Sequence, residues 1–152
     1  MTPMHIRLLH DDAMAPRQFA VVLEAGDEVV PALEKFAAEQ QVTAGSLTGI
    51  GAFGSAALSL FDPVAKAHVP IPVTEHTEVL GLTGNIALKD GRPHVHAHVV
   101  LGRRDGTTVG GHLQQAVAHP ALEVFVTAYP TALTRRLDTT LGLPVIAPDT
   151  AG

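Results

Sequence analysis

His94, His96 and His98 stand at alternate positions in the stretch Pro93 to Leu113. A strand repeats with period two, so the three imidazoles share one face while Val95, Ala97 and Val99 face a core. A charged turn, Arg103-Arg104-Asp105-Gly106, precedes Gly110-Gly111-His112. If Thr107 to Val109 returns beside the strand, a fourth imidazole reaches the same region. Neutral imidazole is a good ligand for zinc and other transition metals. Histidines at i and i+2 sit about 7 Å apart at the backbone, and their side chains can converge on one ion. The expected ligand set is His96, His98 and His112, with His94 outside it near the preceding hairpin. Gly110 and Gly111 are expected to let the backbone turn tightly enough to present His112. Three ligands leave a position open to water, the arrangement used in catalysis. The competing reading is a histidine stripe that only packs and hydrogen-bonds in a polar cleft or subunit interface.

Few other residues add chemistry. Glu78 lies among apolar strand residues; near the histidine strand it would accept from an imidazole N–H or act as a catalytic base. Otherwise it faces outward. Asn85 offers an amide to a ligand or caps a bulge. His5, His10, His68, His76 and His119 are singletons and read as structural or solvent-facing. Arg103 and Arg104 would meet an anionic ligand or simply keep a turn wet. The serines lack a nucleophile-elbow context. The glycines of Thr43 to Gly54 match neither a P-loop nor a dinucleotide fingerprint; they fit bulges, close strand approach or a subunit seam.

These residues need a scaffold, and 152 residues with a 46% hydrophobic share suit one domain. Val29 to Gln41 has helical periodicity, with Pro31 in its first turn and Asp27 as a candidate cap. Strands are expected at His5 to Leu9, Phe19 to Glu24, Ser55 to Asp62, His68 to Val73, Glu75 to Leu82, Asn85 to Lys89, Ala121 to Tyr129 and Leu133 to Asp138. Asp90-Gly91 makes a hairpin into the histidine strand. Leu113 to His119 fits either a short strand or one helical turn. The expected class is α+β: a mostly antiparallel sheet wrapped around or packed on one main helix. The domain is drawn over residues 5–140, with 141–152 as a C-terminal tail.

Net charge is −5, with only 10 Lys and Arg and no basic stripe, which weighs against tight nucleic-acid binding. The absence of cysteine excludes thiolate ligands and disulfides. No apolar run has the length of a signal peptide or membrane span, so no membrane partner and a cytoplasmic location are expected.

The segments LTGIGAFGSAALSLFD, EVLGLTGNIALKDG, HVHAHVVLGRRDGTTVGGHL and ALEVFVTAYP resemble the plant and prokaryote conserved domain, PPC, also called DUF296. The resemblance spans roughly residues 5–140 and is carried by His-x-His and Gly-Gly-His-Leu. It implies an α/β domain with a mostly antiparallel sheet and one prominent helix, assembling as a homotrimer. Glu78, Gly84, Asn85, His96, His98, Gly110, Gly111 and His112 fall on the family's motif positions, and some prokaryotic relatives look like metal binders. Plant members carry a basic AT-hook for the DNA minor groove. Here Gly91-Arg92-Pro93 is only a fragment of it.

Three functions follow as expectations. The first is a homotrimeric domain binding a divalent transition metal, zinc foremost, at His96, His98 and His112, with Asn85, Gly110 and Gly111 lining a small-molecule site and Glu78 as a catalytic candidate. The second is a DNA-associated regulatory domain. The third is a non-catalytic trimerisation module built on the small residues from Ala44 to Ala57.

Overall fold

A computed structural model describes residues 4–10 and 15–148. The side chains of residues 7–10, His10 among them, and residues 149–152 of the expected tail lie outside the described residues. The elements are β1 His5–His10, β2 Arg17–Glu24, α1 Val29–Glu39, β3 Ala44–Asp62, β4 Ala67–Val73, β5 Thr77–Lys89, β6 Arg92–Gly102, β7 Thr108–Ala128, β8 Thr134–Asp138 and β9 Leu143–Ala147.

The α+β expectation is corrected. Strands take 67% of the chain and helix only 8%, so the protein is mostly β with one short helix. The sheet is also mixed, because β8 runs parallel to β5 at Leu88 and Thr134 while the other pairs are antiparallel. The physical reason is that two strands continue, with register shifts along their pairing, through segments that look broken in sequence. β3 spans 19 residues, including the glycine-rich stretch, and β7 spans 21, including the ambiguous Leu113 to His119. Glycine weakens an isolated strand. In β3 it lets the neighbouring backbone come close: a Cβ on Gly45 would stand 2.7 Å from the Thr127 carbonyl oxygen. The two expected strands Glu75 to Leu82 and Asn85 to Lys89 are one strand, β5; Thr83-Gly84, where the sequence suggests a bulge between them, is regularly paired, and the irregularity falls between Val79 and Gly81.

Pairing closes the sheet on itself. β3 pairs with β5, β5 with β6, β6 with β7, and β7 again with β3. The enclosed core holds Leu47, Leu58, Leu82, Ile86, Val99, Leu101, Leu122 and Val124. The helix adds Val29, Leu33, Phe36 and Ala37, all buried at helical spacing. Phe36 meets Phe19 edge to face at 5.2 Å. Asp27 does not cap the helix; its carboxylate accepts from the Glu24 N–H at 2.8 Å, and Glu28 occupies the cap position without a side-chain bond.

Candidate metal centre

β6 alternates as its sequence requires. Val95, Ala97, Val99 and Leu101 are buried in the core. His94, His96 and His98 point to the outer face. The Arg103 to Thr107 turn then reverses the chain, closed by the Arg103 N–H to the Thr107 carbonyl at 2.8 Å. β7 returns antiparallel with His112 opposite His98 and Gly110 opposite Val100. Directly opposite residues share a face, so His112 joins the histidine row.

Gly110 and Gly111 lie inside β7 and make no turn, which corrects their expected role. Their value is space. A Cβ on Gly111 would stand 2.8 Å from the Ser59 carbonyl oxygen of β3, so only glycine allows β3 to press on β7 beside His112. Gly84 does the same on the other side, where a Cβ would lie 2.9 Å from Ala97 Cα.

The side chains of His96, His98 and His112 offer ligand atoms that all lie within 4.8 Å of one another. Their ring centroids are 5.0, 5.2 and 5.8 Å apart. A tetrahedral zinc with bonds of about 2.0–2.1 Å needs nitrogens about 3.4 Å apart, within reach of small χ rotations. Burial pushes the His112 imidazole below its ordinary pKa, with His68, His98 and His94 adding to the effect. For His96 burial acts first, then Arg135 and the neighbouring histidines, and the value falls to about 4. Both rings are therefore neutral at pH 7 with free lone pairs, as a cation requires. The three histidines are placed to hold a metal ion.

They line one side of a pocket of about 520 Å³, which also takes in Ser59, Phe61, His68, Lys89, His94, Arg135, Leu143 and Pro144. His94 thus belongs to the pocket wall, and its buried Nδ1 has no hydrogen-bond partner among the described residues. His68, a singleton in sequence, sits 5.2 Å from the His112 ring and shares a 3.0 Å hydrogen bond with buried Ser59. β4 brings it there by pairing with the far end of β3. His5 pairs with Glu24 at the exposed β1–β2 edge, and His76 packs against His119; none of these three lines the pocket.

Asn85 stands opposite His96, and its side-chain oxygen accepts a hydrogen bond from Arg135. The structure does not bring Glu78 to the histidines. Glu78 is exposed and opposite Gly102, four residues beyond His98 along β6 and so roughly 13 Å away. Sequence reasoning missed Arg135, Lys89 and His68. The two Arg at 135 and 136 gave no sign of which one turns inward.

The curled sheet with clustered imidazoles on its outer face defines a small β domain built to present histidines. The chain belongs to the Plants and Prokaryotes Conserved (PCC) domain family, whose model matches residues 10–130. A metal-containing protein from Archaeoglobus fulgidus is 32% identical with a TM-score of 0.82, covering 97% of this chain and 99% of that one. A protein from Bacteroides thetaiotaomicron given a provisional DNA-binding assignment is 29% identical with a TM-score of 0.86, covering 96% and 98%. A plant- and prokaryote-conserved protein from Pyrococcus horikoshii is 25% identical with a TM-score of 0.82, covering 99% of both chains. The bifunctional protein GlmU of Synechococcus sp. is 31% identical over 113 residues. That match covers 74% of this chain, but the chain spans only 16% of that relative's length. No helix among the described residues is long and apolar enough to cross a membrane.

Proposed function

We propose that this protein is a metal-binding domain in which His96, His98 and His112 hold a divalent transition ion, zinc foremost. The observation that carries the reading is the convergence of three imidazoles from two strands within 4.8 Å. The all-nitrogen donor set and the neutrality of His96 and His112 support zinc over calcium or magnesium, which take oxygen ligands. The metal content of the Archaeoglobus relative agrees. A zinc ion with three protein ligands would supply Lewis acidity at its open position. The pocket wall would then orient what binds there, with Asn85 acting on it only through its hydrogen bond from Arg135.

The test is elemental analysis of protein purified without a histidine tag, before and after His98→Ala. The wild type is expected to carry about one metal per chain and the variant close to none. Chelation should lower stability by about 2.7 kcal/mol at a free metal concentration 100 times Kd. For a chain of this size that is a fall in Tm of about 5–10 °C. Metal-free wild type, indifferent to chelation, contradicts the reading.

We further infer a homotrimer. Ile50, Leu80, Val100 and Phe125 are large apolar side chains left exposed, and Val100 follows His98 on the same face of β6. Sedimentation as a monomer at micromolar protein contradicts this. The DNA-associated reading draws only on relatives such as the Bacteroides protein and runs against a net charge of −5. Binding of duplex DNA that weakens steeply with salt would favour it.

A further inference from the structure

Arg135 is the residue in this pocket without a structural explanation. It is only 7% exposed, and it comes from β8, beyond the residues that the family model matches. Asn85 accepts one hydrogen bond from its Nη2, but its buried Nε has no partner among the described residues. No described carboxylate forms an ion pair with it. A buried guanidinium without a counter-charge is costly, and proteins retain one where something else supplies the charge.

The surroundings sharpen the point. The pocket wall contains Arg135, Lys89 and five histidines, and no Asp or Glu. The chain has 10 Lys and Arg against 15 Asp and Glu, yet two of those cations and no acid meet here. A divalent ion on the three histidines would raise the local positive charge further. The pocket also has an apolar side formed by Leu60, Phe61, Leu143 and Pro144, the last two delivered by the β8–β9 hairpin. At about 520 Å³ it falls in the size range of small-molecule sites.

We propose that this pocket binds a small organic anion: its oxyanion head, a carboxylate or phosphate, sits on Arg135 beside the metal, and its carbon body lies against Leu143 and Pro144. The planar guanidinium presents paired N–H donors that match either head group. Asn85 is a positioning residue, since its oxygen fixes the orientation of the guanidinium. The proposal rests on the metal reading only for the second anchor of the ligand. The Arg135 anchor exists without it.

The test is calorimetric titration of isovalerate, a carboxylate on a branched apolar body, and of phenyl phosphate. Both are run on zinc-loaded and on chelator-treated protein. At least one probe is expected to bind in both states, more tightly with zinc, and the tighter of the two identifies the head group. Acetate, which lacks the body, should bind at least about tenfold more weakly than isovalerate if the carboxylate is preferred. Asn85→Asp places a carboxylate on the guanidinium and should abolish anion binding while zinc stoichiometry is kept. Arg135→Met should also abolish it, and because it removes an uncompensated buried charge its unfolding midpoint should equal or exceed that of the wild type. A merely structural Arg135 would instead leave Arg135→Met destabilised and anion binding by Asn85→Asp intact, which would overturn the proposal. Failure of both probes in both states would overturn it too. Anion binding by a protein that takes up no zinc would sink the metal reading and leave this one standing.

Discussion

The two faces of β6 carry opposite kinds of information. On the inner face, Val95, Ala97, Val99 and Leu101 fill the core of a closed sheet. On the outer face, His94, His96 and His98 line the ligand pocket with partners from β3, β4, β7 and β8. The inner residues are interchangeable in principle, since any apolar side chain of similar volume packs there. The outer residues are not, because each offers a particular donor to something that must come from solution. The contrast teaches that one strand can supply stability and chemistry separately, divided by a period of two.

The separation predicts distinct outcomes on each face. Leu101→Ala should have the largest effect on stability, a loss of about 2–5 kcal/mol by urea denaturation, with unchanged metal per folded chain. A coupled loss of metal from the folded fraction would break the division. Next comes His98→Ala, which should weaken zinc binding by more than about 100-fold, beyond what loss of a residue behind the ligands costs. Metal-free stability should change by under about 0.5 kcal/mol, because His98 is exposed. A large loss of metal-free stability would mean that the histidine row is structural.

A smaller effect concerns pH. Burial, first among the causes, lowers the pKa of His94, His96 and His112 below 6.5, to about 4 for His96. Protons therefore bind the unfolded chain first. In chelated protein the stability from these groups is fully present above pH 6.5 and is lost as pH falls toward 4. Thermal scans between pH 7.5 and 4.5 should show the midpoint falling, and a flat profile would contradict the burial of these rings. Smallest of all, Glu78→Gln should leave metal content unchanged by elemental analysis, since its strand position is remote from the histidines. Loss of metal there would show that Glu78 reaches the centre after all.

Much of this division can be read in the sequence. The histidine strand, the return of His112 beside it and the helical stripe of Leu33, Phe36 and Ala37 are local patterns, set by periods of two and 3.6 and by turn residues. The sheet's extent is not. Whether Thr43 to Gly54 forms a loop or part of a 19-residue strand depends on how closely β7 approaches, which no local propensity encodes. The bulges and close strand approach that those glycines suggest are present, but they lie inside one long strand, and drawing that strand only from Ser55 to Asp62 gives the helix an importance that it lacks. The partners of the site escaped for the same reason. His68 reaches His112 only because β4 pairs with the far end of β3, and Arg135 turns inward only because β8 docks beside Leu88. In sequence Arg135 is one of two adjacent arginines, with nothing to distinguish it from Arg136.

The most direct measurement is an anomalous-difference map from an untreated crystal, collected on both sides of the zinc edge. One strong peak is expected about 2.1 Å from a nitrogen of each of His96, His98 and His112. A map with no peak among these three rings, or with His112 turned away from His98, would contradict the metal reading.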